Sequence, residues 1–88
     1  DLPPPDLVVV SEVGYFLSPA QLDGLVQRVA DTLAPGGHVL LVHWRHHIDG
    51  WPLDADDVHR RFLAHPRWHR VSALREDDFL LDVLEAQA

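Results

Sequence analysis

The sequence predicts an α/β fold: a partial, doubly wound sheet in which a helix links two parallel strands, followed by a helix and a terminal antiparallel hairpin. Two apolar runs, Leu7 to Ser11 and His38 to Trp44, are rich in Val and Leu and are typical of strands buried on both faces of a parallel sheet. A capped helix and a tight turn separate them, which is the order of a right-handed βαβ unit. The two strands are therefore expected to run parallel.

The first helix is predicted to begin after Ser18, because Ser is a favoured N-cap, Pro19 suits the first helical position and Gln21 completes a capping box. Apolar residues then recur at helical spacing and form one stripe: Leu22, Leu25, Val26, Val29 and Leu33. The Ala-Pro-Gly-Gly segment at 34–37 ends the helix and turns the chain.

The second half of the chain predicts a short helix and a hairpin. Asp54 is expected to cap the helix, and Val58 and Phe62 to belong to its apolar face. Two strands follow, roughly Trp68 to Arg75 and Asp78 to Glu85, with an acidic turn between them. So short a connection requires these strands to run antiparallel.

Composition limits the possible functions. The 88 residues suffice for one small domain, residues 1–88, and an apolar content of 47% argues against disorder. The formal net charge of −7 disfavours nucleic acid as a partner, and no apolar run is long enough to span a membrane. The sequence has no cysteine and no signal-peptide pattern, which fits a cytoplasmic protein. Because the chain lacks an initiator Met and enters a strand almost at once, we expect a piece of a longer polypeptide.

Polar residues follow both parallel strands where they end. Ser11 and Glu12 close the first strand. The second strand is closed by His43, Trp44 and Arg45. Open α/β sheets bind ligands just beyond the carboxyl ends of their strands, so these residues are expected to share one edge and to mark a binding site.

The order of these motifs resembles a known family. Three motifs are similar to the carboxyl-terminal half of class I S-adenosylmethionine-dependent methyltransferases: the strand and loop at 6–17 with an acidic residue at the strand tip, the Leu-Ala-Pro-Gly-Gly turn at 33–37, and the terminal hairpin. The sequence of residues 11–17, together with His43-Trp44-Arg45, looks closest to the nodulation-type N-methyltransferase branch. The resemblance implies a Rossmann-like sheet, S-adenosyl-L-methionine as cofactor, and a small-molecule or sugar-amine acceptor.

The resemblance also implies roles for residues at the sheet edge. Ser11 and Glu12 would bind the cofactor, and the carboxylate of Glu12 could hold its ammonium group or accept a proton from the attacking amine. From its position at the tip of the second strand, His43 is expected to be a second catalytic residue, acting as a general base. The residues expected to bind the acceptor are Tyr15, Trp44 and Arg45.

Purely structural roles stay open for several of these residues. Glu12 could cap the following loop or pair with an arginine, and His43 could bond to a loop carbonyl. Trp44 could fill the end of its strand. Of the two adjacent aromatic residues, we expect Tyr15 to line the pocket and Phe16 to enter the core.

A metal site is not expected, although His43, His46 and His47 lie close together in the sequence. No cysteine supports such a site, and strand alternation directs His43 and His46 to opposite faces. Asp54, Asp56 and Asp57 are better explained by helix capping than by a cation site.

One feature of the family is missing from this sequence. No glycine-rich loop links a strand to a helix, because the pair Gly36-Gly37 precedes a strand instead. The chain is therefore expected to lack most of the cofactor cradle and to be inactive alone. An alternative is a non-catalytic interaction module whose exposed first-strand edge pairs with a second copy or with a missing amino-terminal half. Another doubly wound enzyme, such as a reductase, is disfavoured because no phosphate-binding loop is visible.

Overall fold

The computed structural model of the chain describes residues 3–13, 16–46 and 50–87. Its elements in chain order are β1 (Leu7–Ser11), α1 (Pro19–Thr32), β2 (His38–Trp44), α2 (Ala55–Leu63), β3 (Trp68–Arg75) and β4 (Phe79–Ala86). The four strands form one sheet in the order β1-β2-β4-β3. Strand β1 runs parallel to β2, and β4 runs antiparallel to both β2 and β3. The predicted α/β architecture is confirmed.

Both helices begin with a capping box, and each box starts at the N-cap residue that the sequence predicts, Ser18 or Asp54. The hydroxyl of Ser18 accepts a hydrogen bond from the backbone N–H of Gln21 at 3.2 Å, and Gln21 Oε1 accepts from the Ser18 N–H at 2.9 Å. Asp54 and Asp57 repeat this exchange at 2.9 and 3.3 Å. Each cap satisfies two backbone donors that a helix start leaves unpaired, and an N-cap of this kind contributes about 1 kcal/mol.

The helices pack on one face of the sheet and form a single core with it. The buried residues of this face and of the two helices include Val10, Leu22, Val26, Val39, Leu41, Val58, Phe62 and Leu84. Trp68 closes one end of the core, where its indole Nε1–H donates to the Phe62 carbonyl at 2.6 Å. We call this side, with its helices, the covered face.

The opposite side of the sheet, which we call the open face, carries Leu7, Val9, Leu40, Val83 and Leu74. Leu7 is 57% exposed and Val9 is 54% exposed. The expectation that β1 is buried on both faces is therefore wrong for this chain. Neither described helix lies on the open face, so the residues of β1 that alternate with Val8 and Val10 face solvent.

The predicted Pro-Gly-Gly turn positions the start of β2. Gly36 has a φ of +76°, a conformation that favours glycine. At Gly37 a Cβ atom would lie 2.9 Å from the Ala34 carbonyl oxygen, so a side chain would force the turn apart. The backbone N–H of Gly37 donates to that same carbonyl at 2.9 Å. The turn thus delivers β2 in register beside β1.

No described helix has both the length and the apolar character that crossing a membrane requires.

Candidate functional site

The carboxyl ends of β1 and β2 lie side by side, as predicted. Ser11 pairs with Val42 at the last position of the parallel ladder. Beyond it, the backbone N–H of Glu12 donates to the Val42 carbonyl at 3.1 Å. The Glu12 carboxylate then accepts a hydrogen bond through Oε1 from the backbone N–H of Trp44 at 2.8 Å. The structure thus brings Ser11, Glu12 and Trp44 together at one edge.

Glu12 adopts a left-handed backbone conformation, with a φ of +59°. This conformation costs a residue with a Cβ roughly 1–2 kcal/mol, and such strain is concentrated at functional sites. The hydrogen bonds that Glu12 makes to Val42 and Trp44 offset this cost. The bend places an exposed carboxylate at the end of the strand instead of continuing the strand.

The turn of the β3–β4 hairpin lies at the same edge and anchors the residues after β2. The guanidinium of Arg45 donates to the Glu76 carbonyl at 2.9 Å, and the Arg45 N–H donates to the Asp78 carbonyl at 2.7 Å. His46 Nε2 lies 2.7 Å from the Asp78 carboxylate. Trp44 is 45% exposed, with its ring centroid 4.9 Å from that of His46. Trp44 therefore presents an aromatic surface beside Glu12.

Phe16 does not enter the core, so that expectation is wrong. Its ring is 52% exposed and lies 4.1 Å from the ring of Trp51, centroid to centroid, at an angle of 51°. Trp51 follows β2, so this pair joins the loop after β1 to the segment before α2. Trp51 is partly buried and packs against the core, and Phe16 lies against Trp51 instead of entering the core itself. Tyr15, which is predicted to line the pocket, lies outside the described residues.

His43 lies on the covered face, away from the exposed Glu12 and Trp44. Its side chain is fully buried, and Nδ1 lies 3.0 Å from Nε2 of His59 on α2. Burial, together with the neighbouring His59, lowers the pKa of His43 to about 4. His43 is therefore neutral at physiological pH and belongs to a buried contact beneath the sheet edge.

The structure adds residues that the sequence did not single out as functional. His59 Nδ1 lies 2.6 Å from the Asp82 carboxylate, which also accepts from the Arg75 guanidinium at 3.0 and 3.2 Å. His59 and Asp82 are almost completely buried. A signal exists in the sequence: His59 occupies the apolar stripe of α2 and Asp82 an inward position of β4. A polar residue at a core position is informative because it needs a partner.

Among the described residues, no group of three or more His, Cys, Asp or Glu side chains is arranged to hold a metal ion. His47 of the histidine cluster at 43–47 lies outside the described residues.

Methyltransferases are among the solved structures that are similar to this chain. A protein of Pseudomonas syringae, assigned as a methyltransferase, is 34% identical and superposes with a TM-score of 0.79 over 97% of this chain and 49% of its own length. The N-methyltransferase NodS of Bradyrhizobium japonicum, in complex with S-adenosyl-L-homocysteine, is 25% identical with a TM-score of 0.77 over 94% of this chain and 46% of its own. This chain has the fold of half a methyltransferase.

A second structure of NodS superposes over 100% of this chain and 54% of its own length, with a TM-score of 0.73. The resemblance to methyltransferases that the sequence implied, including the N-methyltransferase NodS, is thus confirmed. The chain spans about half the length of these proteins. No family model matches the sequence, and no curated protein matches it.

Proposed function

We propose that this chain is the carboxyl-terminal half of an S-adenosylmethionine-dependent methyltransferase that transfers a methyl group to the nitrogen of a small-molecule or sugar-amine acceptor. The main support is the shared fold, which extends over 97% of this chain at 34% identity to the Pseudomonas syringae protein. Further support is that NodS, which is 25% identical, binds S-adenosyl-L-homocysteine. The absence of cysteine suits a cytoplasmic location, which we include in the proposal.

The residues at the sheet edge fit part of a cofactor site. Glu12 offers an exposed carboxylate for the cofactor's ammonium group, with Ser11 beside it. The Phe16–Trp51 pair offers aromatic faces, which attract a sulfonium cation. When bound, the cofactor supplies an electrophilic methyl group. The glycine-rich loop that completes a cofactor cradle is absent from the sequence, so these residues would hold one side of the cofactor only.

The chain's own residues would then act mainly by positioning the acceptor and excluding water. Trp44 offers an exposed ring on which a sugar or another ring can stack, and Arg45 and Tyr15 would complete the acceptor site. Glu12 is an exposed group at this edge that can accept a proton from an attacking amine. His43 stays in the proposal as the second catalytic residue, although it lies buried beneath the edge in this chain.

Isothermal titration calorimetry with S-adenosyl-L-homocysteine tests the cofactor proposal. The titration is carried out on the chain alone and on a longer protein that contains it. We expect saturable binding to the longer protein and weak or no binding to the chain alone, because one side of the cradle supplies few contacts. Failure of both to bind would contradict the proposal.

Glu12→Gln tests the role of the carboxylate within the longer protein. Gln retains an oxygen that can accept from the Trp44 N–H but removes the negative charge. We expect affinity for S-adenosyl-L-homocysteine to fall by roughly 10- to 150-fold, since a hydrogen bond to a charged group contributes about 1.5–3 kcal/mol.

The matched control is Glu76→Gln, which removes the same charge at the same sheet edge from a residue whose described hydrogen bonds involve its backbone. The control should bind the cofactor product normally. An equal loss of affinity in both variants would show a general effect of charge and would remove Glu12 from the cofactor site.

A second candidate function is a non-catalytic interaction module, and the open face is the observation that favours it. This face exposes Leu7, Val9 and Leu74, and among the described strands β1 lies at the edge of the sheet and pairs only with β2. Sedimentation velocity over a concentration series distinguishes the candidates. Reversible self-association of the chain supports an interaction role, whereas a stable monomer with well-dispersed amide resonances argues against it.

A further inference from the structure

Four side chains form a continuous polar chain that runs from the core to the surface. His43 on β2 contacts His59 on α2 at 3.0 Å, and His59 contacts Asp82 on β4 at 2.6 Å. Arg75 on β3 completes it, with its guanidinium 3.0 and 3.2 Å from the two Asp82 carboxylate oxygens. We call the three buried members, His43, His59 and Asp82, the buried relay. It links the covered face to the carboxyl end of β2, where the candidate site begins.

Burial makes the partners of the buried relay essential. His43 and Asp82 are 0% exposed and His59 is 2% exposed, so solvent offers no substitute for these contacts. A polar side chain in such a place needs a hydrogen-bond partner or it costs free energy. Every described buried side-chain N or O atom has one. The relay is therefore held in one geometry.

The charges around the relay are balanced by both arginines of β3. Arg75 pairs directly with Asp82, and the Arg70 guanidinium lies 3.6 Å from the same carboxylate. Asp56, in the first turn of α2, is the further acidic group that acts on His59. Burial lowers the pKa of His59, while Asp82 opposes this change and Arg75 reinforces it. His59 is therefore the neutral member of its pair with Asp82.

The positions of the protons follow from this balance. A carboxylate can only accept, so the single proton of neutral His59 lies on Nδ1, which faces Asp82. Nε2 of His59 then carries a lone pair and must accept from His43. The proton of His43 consequently lies on Nδ1, and its Nε2 carries no proton.

We propose that His59 and Asp82 are positioning residues that hold His43 as the tautomer protonated on Nδ1, so that Nε2 of His43 is kept as an accepting nitrogen at the carboxyl end of β2. Whatever group meets Nε2 must therefore donate, as an O–H, an N–H or an ammonium group does. The arrangement repeats the logic by which a buried carboxylate orients a histidine for proton transfer.

Long-range ¹H–¹⁵N correlation spectra of the uniformly ¹⁵N-labelled chain at pH 7.5 test this inference. We expect His43 to show a protonated-type Nδ1 resonance and an unprotonated Nε2 resonance, and His59 to show the same pattern. A His43 protonated on Nε2, or on both nitrogens, would overturn the inference. The spectra involve no cofactor, so they succeed or fail independently of calorimetry with S-adenosyl-L-homocysteine.

Asp82→Asn tests the direction of the relay. Arg75 donates toward residue 82 and keeps the amide oxygen of Asn on its own side, so the amide N–H₂ faces His59. His59 must then accept on Nδ1 and donate from Nε2, and His43 is expected to switch to the tautomer protonated on Nε2. A folded Asp82→Asn protein in which His43 keeps its tautomer would contradict the relay.

Glu85→Gln is the matched control, because Glu85 also lies on β4 and contacts a histidine of β2, His38, at 3.1 Å. That pair is half-exposed and lies on the open face, so the His43 tautomer should not change. If Asp82→Asn fails to fold, the wild-type spectrum still decides, because the wild-type tautomer is itself the primary prediction.

Discussion

The two faces of the sheet carry similar apolar residues but differ in what covers them. On the covered face, Val39, Leu41 and Leu84 are completely buried under the helices. On the open face, Leu7 and Val9 expose more than half of their surface. Because hydrophobic stabilisation follows the area removed from water, each apolar side chain of the covered face contributes more to folding.

Two carboxylates of β4, each paired with a histidine from another element, show the same difference between the faces for polar groups. His59 and Asp82 meet at 2.6 Å in the core, whereas His38 and Glu85 meet at 3.1 Å with more than 40% of each side chain exposed. An exposed pair of this kind contributes about 0–1 kcal/mol. A buried pair contributes little net stability, but removing one partner is costly. Burial, more than residue type, therefore decides how much stability is lost when one partner of such a pair is removed.

The largest difference between the faces is expected for the carboxylates. Asp82→Ala leaves His59 and Arg75 without their shared partner and should lower the free energy of unfolding by about 3–5 kcal/mol. Glu85→Ala, on the same strand, should lower it by less than about 1 kcal/mol. Urea unfolding followed by circular dichroism measures both. Equal losses would mean that Asp82 is not held in a buried pair.

A leucine pair tests the apolar part of the comparison. Leu84 is fully buried on the covered face, and Leu81, three residues earlier on β4, is half-buried on the open face. Leu84→Ala removes packed methyl groups and should cost about 2–5 kcal/mol. Leu81→Ala should cost distinctly less in the same urea titration. A larger cost at Leu81 would show that the open face is covered in solution.

Acidification should destabilise the fold through the buried His43. The pKa of His43 is about 4 in the folded chain and 6.5 as a free group, so the unfolded chain binds the proton more readily. Neutral His43 therefore adds to the free energy of unfolding, and this contribution is complete above pH 6.5. It is lost as pH falls toward 4, and the total loss is about 3 kcal/mol.

Urea unfolding at pH 7.5, 6, 5 and 4.5 measures the acid effect. His43→Gln removes the titrating group, so its stability should change less over the same range. An equally steep pH dependence in His43→Gln would assign the effect to other groups.

The smallest effect on stability is expected on the open face. Val9→Lys places a charge on an exposed position of β1 and should change the free energy of unfolding by less than about 0.5 kcal/mol. If the open face mediates self-association, sedimentation velocity should show that this variant associates less than the wild type. Gln27→Lys, which adds the same charge on the exposed surface of α1, is the control and should associate like the wild type.

Local sequence signals predicted the elements of the fold closely. β1 was expected at about Leu7 to Ser11 and is found there, and β2 spans His38–Trp44 as its apolar run indicates. Ser18 and Asp54 cap their helices as expected. These features depend on hydrogen bonds and side-chain periodicity within a few residues, which a sequence displays directly. The hairpin was predictable for the same reason, because a short connection allows only an antiparallel pair.

The candidate site was only partly accessible from the sequence. The adjacency of Glu12 and Trp44 follows from parallel pairing, but the positive φ of Glu12 does not, because that conformation is selected by contacts across two strand ends. The exposed position of Phe16 was also missed, because its partner Trp51 comes much later in the sequence, after β2.

The sequence by itself determined the strands, the helices, their caps and the resemblance to half a methyltransferase, because each depends on neighbours along the chain. Tertiary structure alone decided which face of the sheet is open and which polar groups meet inside it. His43, His59 and Asp82 are separated by 16 and 23 residues, and their contacts exist only because α2 packs across β2 and β4. Burial then gives these groups properties that their residue types do not have in water.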